Sequence, residues 1–116
     1  MKLAFIIIPH DHKGESGIDV ISKTVNQFRL DYGGCTHYQV DGIWKDNAYD
    51  NPIKCQKIEV ALNDNDTFHF LDWAMYAHSL TNVKELMVQT PCGNIEFIRS
   101  DSGTYLKATY PYKGAN

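Results

Sequence analysis

The chain has 116 residues, 43% hydrophobic and 22% charged, with a formal net charge of −3. That length fits one domain with a single core, and the composition excludes wholesale disorder. The acidic balance disfavours a general nucleic-acid binder, which needs a basic face, and no apolar run nears the roughly 20 residues that span a bilayer.

Leu3-Ala4-Phe5-Ile6-Ile7-Ile8-Pro9 is apolar at every position. It is too short for a signal peptide and lacks a small-residue cleavage site, so it reads as a central strand covered on both sides or set in an interface. Ser16-Gly17-Ile18-Asp19 resembles a capping box, and Ile18, Ile21, Val25 and Phe28 then recur at helical spacing. Gly33-Gly34 stops this helix, with Gly34 the expected left-handed residue and Gly33 the milder position to replace. From Thr36 the period becomes two. Tyr38, Val40, Gly42 and Trp44 fall on one face and His37, Gln39, Asp41 and Lys45 on the other.

Residues 46–52 form a turn-rich loop, and 53–62 return as the second arm of a hairpin with 36–45. Ile53 and Cys55 are out of phase with Ile58, Val60 and Leu62. That slip predicts a bulge near Gln56-Lys57, or a strand whose halves bury different faces. Asn63 to Asp66 offers helix caps, and Phe68, Leu71, Met75 and His78 form the stripe of a wide-faced second helix flanked by Trp73, Ala74 and Ala77. Strands follow at 86–90 and 94–99 around Pro91-Cys92-Gly93, and the tyrosine-rich tail from Thr104 reads as an edge strand or docking arm. The order predicts an α+β, ferredoxin-like βαββαβ domain over 1–116. Residues 1–90 form a four-stranded antiparallel sheet with two helices on one face, and 91–116 a C-terminal hairpin and tail.

The series Gly33-Gly34-x-Thr36, Gly42-x-Trp44, a polar loop and Lys57-Ile58-Glu59-Val60 resembles a family of small bacterial and phage proteins of unknown function. The resemblance spans residues 3–90 and implies the fold rather than a chemistry. It departs at the hairpin tip, where residues 46–52 contain no glycine. Phage proteins of this size can sequester host signalling nucleotides, a role the resemblance makes worth naming without itself implying it.

Cys35, Cys55 and Cys92 are odd in number and form no C-x-x-C pair, as expected of reduced thiols in a cytoplasmic protein. Cys35 follows a helix carboxyl end, whose partial negative charge raises a thiol pKa, so it is no nucleophile. His10-Asp11-His12 can share a metal if His37, His69 or His78 adds a third ligand; two solvated histidines on a loop explain it as well. No nucleophile and base are paired, no P-loop or dinucleotide fingerprint is present, and no cofactor or metal is expected. The ligand site expected is the helix-to-strand junction. Gly33, Gly34 and Thr36 present backbone amides to an anion, Arg29 and Lys45 supply cations, and Trp44 a flat wall. A small-molecule binder, for a nucleotide or other small anion, assembled as a homodimer or higher oligomer is the leading expectation. A protein–protein interaction module without a ligand is the alternative, and a metal-dependent enzyme at His10 and His12 the third.

Overall fold

The computed structural model describes residues 1–10, 17–43, 52–81 and 83–99. Ser16, Asp11, His12, Trp44, Lys45, most of the 46–52 loop and the tail from Thr104 lie outside them. The elements run β1 (Lys2–Pro9), α1 (Gly17–Tyr32), β2 (Thr36–Gly42), β3 (Ile53–Leu62), a 3-10 turn at Asp64–Asp66, α2 (Thr67–Ser79), β4 (Glu85–Gln89) and β5 (Ile95–Arg99). The strands form one five-stranded sheet in the order β2-β3-β1-β4-β5, and every neighbouring pair is antiparallel. β1 and β2 therefore run parallel with β3 between them, and α1 crosses over that gap. α2 joins β3 to β4 across β1 in the same way.

The sheet has five strands where the sequence reading gave its core four. β5 is no separate extension, because each of its residues pairs with β4, from Glu85 opposite Arg99 to Gln89 opposite Ile95. Gly93, at φ +93°, lets the chain reverse, and its N–H donates to the Thr90 carbonyl at 2.9 Å. Ile98 then joins the core, fully buried, which ties the hairpin to the rest of the domain.

Alternation sorts the sheet into two faces. Ala4, Ile6, Ile8, Ile58, Val60, Leu62, Leu86, Val88 and Ile98 turn toward the helices and share one core with Val20, Ile21, Phe28, Phe70 and Trp73. Residues of the other parity form an open face on which neither helix packs, although Phe5, Pro9 and Cys55 there are buried. β3 shows why its apolar residues change phase. Its pairing with β1 and β2 is continuous through Cys55, Gln56 and Lys57, so there is no bulge. Ile58, Val60 and Leu62 lie under the helices, whereas Cys55 stands opposite Pro9 and Val40 on the open face.

Both helices rotate slightly from the expected stripes. In α1 the buried residues are Gly17, Val20, Ile21, Thr24 and Phe28, and Ile18 is 58% exposed. Thr24 is tolerated in the core because its hydroxyl donates to the Val20 carbonyl (2.8 Å) and accepts from the Trp73 indole N–H (2.9 Å). In α2 Phe70 takes the core position and Phe68 is 83% exposed. His78, also buried, donates from Nε2 to the Val83 carbonyl at 3.0 Å, which makes it a structural histidine.

α1 ends as the glycine pair requires, but Gly33 holds the left-handed position. Its φ is +86°, and its N–H donates to the Arg29 carbonyl at 3.1 Å, the single bond of a left-handed helix cap. Gly34 follows at φ +155°. No atom lies within 4 Å of a Cβ built on either glycine, so backbone conformation alone opposes a side chain. Gly33→Val is expected to lower stability by about 1–2 kcal/mol in urea denaturation, at least as much as Gly34→Val. Wild-type stability in Gly33→Val would contradict this helix end.

Candidate functional site

The chain offers two surfaces, one on each side of the sheet. On the helix side, β2 is an edge strand that α1 only partly covers, because Ile18 and Val25 flank the buried stripe rather than sit in it. A groove of about 380 Å³ remains, lined by Ile18, Ile21, Ser22, Val25, Asn26, Arg29 and His37. Arg29 sits in the last turn of α1, and its Nη2 donates to Asn26 Oδ1 at 2.8 Å. Among the described residues, no carboxylate lies within ion-pairing distance of its guanidinium.

His37 is fixed from below. Gln56 Nε2 donates to His37 Nδ1 at 2.7 Å, and Gln56 Oε1 accepts from His10 Nε2 at 2.9 Å. One amide thus bridges histidines on β2 and at the end of β1. In this arrangement His37 carries its proton on Nε2 and His10 also carries one on Nε2. Gln56 was not foreseen as a site residue; its even spacing with Ile58 and Val60 was the available signal, since it places Gln56 on the helix face.

The expected junction site is partly assembled. Arg29 and Gly33 are adjoining through the helix-closing bond, and that bond occupies one amide of the expected anion nest. Gly34, Cys35 and Thr36 border a different depression with Leu3, Glu59, Val60 and Ala61. Thr36 pairs with Glu59 across β3 and belongs to the open face, whereas Arg29 lines the groove on the helix side. Trp44 and Lys45 lie outside the described residues.

Histidine 69 belongs to neither surface. Its Nδ1 is 3.4 Å from the Tyr32 hydroxyl and its Nε2 is 3.6 Å from Asp31 Oδ2, joining the end of α1 to the start of α2. Burial, with Asp31, Asp66 and Asp72 nearby, pushes the Tyr32 phenol up, so it is no acid near neutrality. Among the described residues no three histidine, cysteine or acidic side chains gather as metal ligands. Burial raises the Cys35 thiol, and burial followed by the Asp41 charge raises that of Cys55 to about 11. The Thr90 hydroxyl, 3.0 Å from Cys92 Sγ, lowers the Cys92 thiol. Cys92 is exposed on the β4–β5 turn.

The second surface is the open sheet face. Across its middle run Tyr38, Lys57, Ile7, Met87 and Phe97, and beside them Thr36, Glu59, Phe5, Gln89 and Ile95. Lys57 Nζ lies 4.3 Å from the centre of the Phe5 ring and 3.5 Å from Glu59 Oε2, which also accepts from the Tyr38 hydroxyl at 2.9 Å. The lysine stem covers Phe5 while its charge is neutralised beside it. Next to this network a depression of about 470 Å³ opens between the two sheet edges, with Ile7, Pro9, Val40, Met87 and Phe97 among its walls. Ile95 is 48% and Phe97 36% exposed.

No protein-family model and no curated protein matches the sequence. Among the described residues, no helix is long and apolar enough to cross a membrane.

Proposed function

We propose that this chain is a small binding module with a ferredoxin-like frame, β5 being an added edge strand, and that it works as a homodimer joined through its open sheet face. The observation that carries this reading is a sheet face on which neither described helix packs, rich in aliphatic and aromatic side chains, with Leu3, Ile53, Ile95 and Phe97 exposed on it. Patches beyond a few hundred Å² on a soluble domain mark interaction sites. Five strands at ~4.8 Å spacing give roughly 500 Å² of flat sheet, so two copies reach the ~1,000 Å² of a specific interface. The charges on the face favour a second copy over a charged partner. Lys57 pairs with Glu59, and Arg99 Nε with Glu85 Oε2 at 2.7 Å, so neither sign forms a block. A twofold arrangement brings the same neutral, apolar surface against itself.

Light scattering of the full chain at micromolar concentration is expected to give twice the monomer mass, and Phe97→Lys to return the monomer. A monomer in the wild type, or a dimer indifferent to Phe97→Lys, would contradict the reading. An assembly that forms only with another protein would favour the interaction module without self-association.

A second reading, binding of a small anion such as a nucleotide at the end of α1, draws on the guanidinium of Arg29, which no carboxylate among the described residues pairs. Gly33, Gly34 and Thr36 are the adjoining backbone, and Trp44 and Lys45 lie outside the described residues.

A further inference from the structure

We propose that the groove between α1 and β2 binds a small organic anion with an apolar body, a carboxylate or phosphate monoester on a short hydrocarbon chain, gripped by Arg29 and the Nε2–H of His37. The inference rests on the small-anion reading and moves the ligand from the glycine turn to the groove. Two observations favour the move. The Gly33 N–H is already spent on the Arg29 carbonyl, and Thr36 faces the other side of the sheet.

The groove is built for such a molecule from three kinds of group. Ile18, Ile21 and Val25 form an apolar wall, and Ile18 is 58% exposed. Its volume of about 380 Å³ lies within the ~300–1,000 Å³ usual for small-molecule sites. Arg29 supplies a permanent charge and a planar fork, one arm of which Asn26 steadies, leaving donors for the paired oxygens of an anion. The His37 tautomer is the third part. Because Gln56 donates to Nδ1, the ring proton is on Nε2, and His37, which lines the groove, has a donor for a ligand there. In this amide orientation the Gln56 oxygen accepts from His10 Nε2, so the two histidines and the amide form one hydrogen-bonded chain. His10 and Gln56 are thus positioning residues, and His37 and Arg29 make the contact.

This assignment gives a use to His10, whose neighbours in the His10-Asp11-His12 segment suggested a metal. It also predicts selectivity: a quaternary ammonium head group on the same chain loses both polar contacts, and a neutral hydroxyl keeps only a single acceptor without the charge assistance. Apolar residues alone would not discriminate between them, whereas a site with unpaired donors does.

The test is two-dimensional amide NMR of the full chain titrated with octanoate and octyl phosphate, with octanol and octyltrimethylammonium as matched controls. Saturable shifts are expected at Ile18, Ser22, Asn26, Arg29, His37 and Gln56 for both anions, and at least tenfold weaker binding for both controls. Arg29→Met and His37→Phe should each weaken octyl phosphate at least tenfold, while Lys84→Met, an equal change of charge elsewhere, leaves it unchanged. Gln56→Leu should weaken it through His37, and the imidazole nitrogen shifts of His37 should show the loss of the fixed Nε2–H tautomer. Shifts confined to Gly34, Cys35 and Thr36 would overturn the groove and keep the anion reading. Equal binding of octanol, or no saturable shift with either anion, would overturn both.

Discussion

Phe28→Ala is expected to lower the unfolding free energy by about 3–5 kcal/mol, the range for removing a fully buried aromatic ring. Phe28 has no solvent exposure, and its ring centre lies 5.7 Å from those of both Phe70 and Tyr32. It therefore joins α1 to α2 and anchors the last turns of α1, from which Arg29 and the Gly33 cap extend. A domain of this size has roughly 5–15 kcal/mol in total, so the variant should sit close to its unfolding transition at room temperature. Urea denaturation followed by tryptophan fluorescence measures the loss. Phe28→Leu keeps much of the volume and should cost clearly less. A loss below 1 kcal/mol for the alanine variant would mean that the helix pair is not packed through this ring.

Gly17→Ala should be almost as damaging, although it adds only one methyl group. A Cβ at Gly17 would overlap the carbonyl oxygens of Pro9 and His10, which are backbone atoms and cannot swing aside as a side chain can. The first residue of α1 is thus pressed against the end of β1. Relief requires shifting the helix start or the His10 segment, and overpacking of this kind typically costs about 1–3 kcal/mol, occasionally more. Because His10 holds Gln56, the same shift should disturb the His37 tautomer. Gly17→Ala is expected to lower the urea midpoint and also to move the His37 ring signals, a pairing that a change in helix propensity alone would not produce. Alanine is the better helix former, so a midpoint that rises would show that the close approach does not exist.

How much of this was legible in the chain depends on whether local or tertiary contacts decide each position. The all-apolar run from Leu3 to Pro9 announced a central strand because only a strand with neighbours on both sides needs no polar position. The glycine pair announced the end of α1, since a left-handed residue is a local requirement, though spacing alone put the constraint on Gly34 rather than Gly33. The phase slip in β3 was visible, but its cause was not. Cys55 is fully buried and stands opposite Pro9 and Val40, on strands that only tertiary pairing brings beside it, so a bulge and a change of face looked alike. Ile18 and Phe68 matched their helical stripes, yet the neighbouring Val20 and Phe70 fill the core. A period of about 3.6 leaves such one- or two-residue rotations open, and packing against the sheet decides them. Gly17 carried no local signal, and Gln56 only its even spacing with Ile58 and Val60: one matters for a carbonyl seven residues away, the other for two histidines, on β2 and just after β1. Of the junction residues, Arg29 and Gly33 come together, while strand alternation sends Thr36 to the opposite side of the sheet.

Self-association through the open sheet face is tested most directly by isotope-filtered nuclear Overhauser measurements on an equimolar mixture of labelled and unlabelled full-length chains. Intermolecular cross-peaks are expected among Ile7, Met87, Ile95 and Phe97, residues whose side chains share that face. Cross-peaks from Ile18 or Phe68 instead would place the interface on the helix side and contradict the account. So would the absence of intermolecular cross-peaks together with intramolecular ones, in the unfiltered spectrum, linking Ile7 and Met87 to residues 105–112, because the chain would then cover its own sheet.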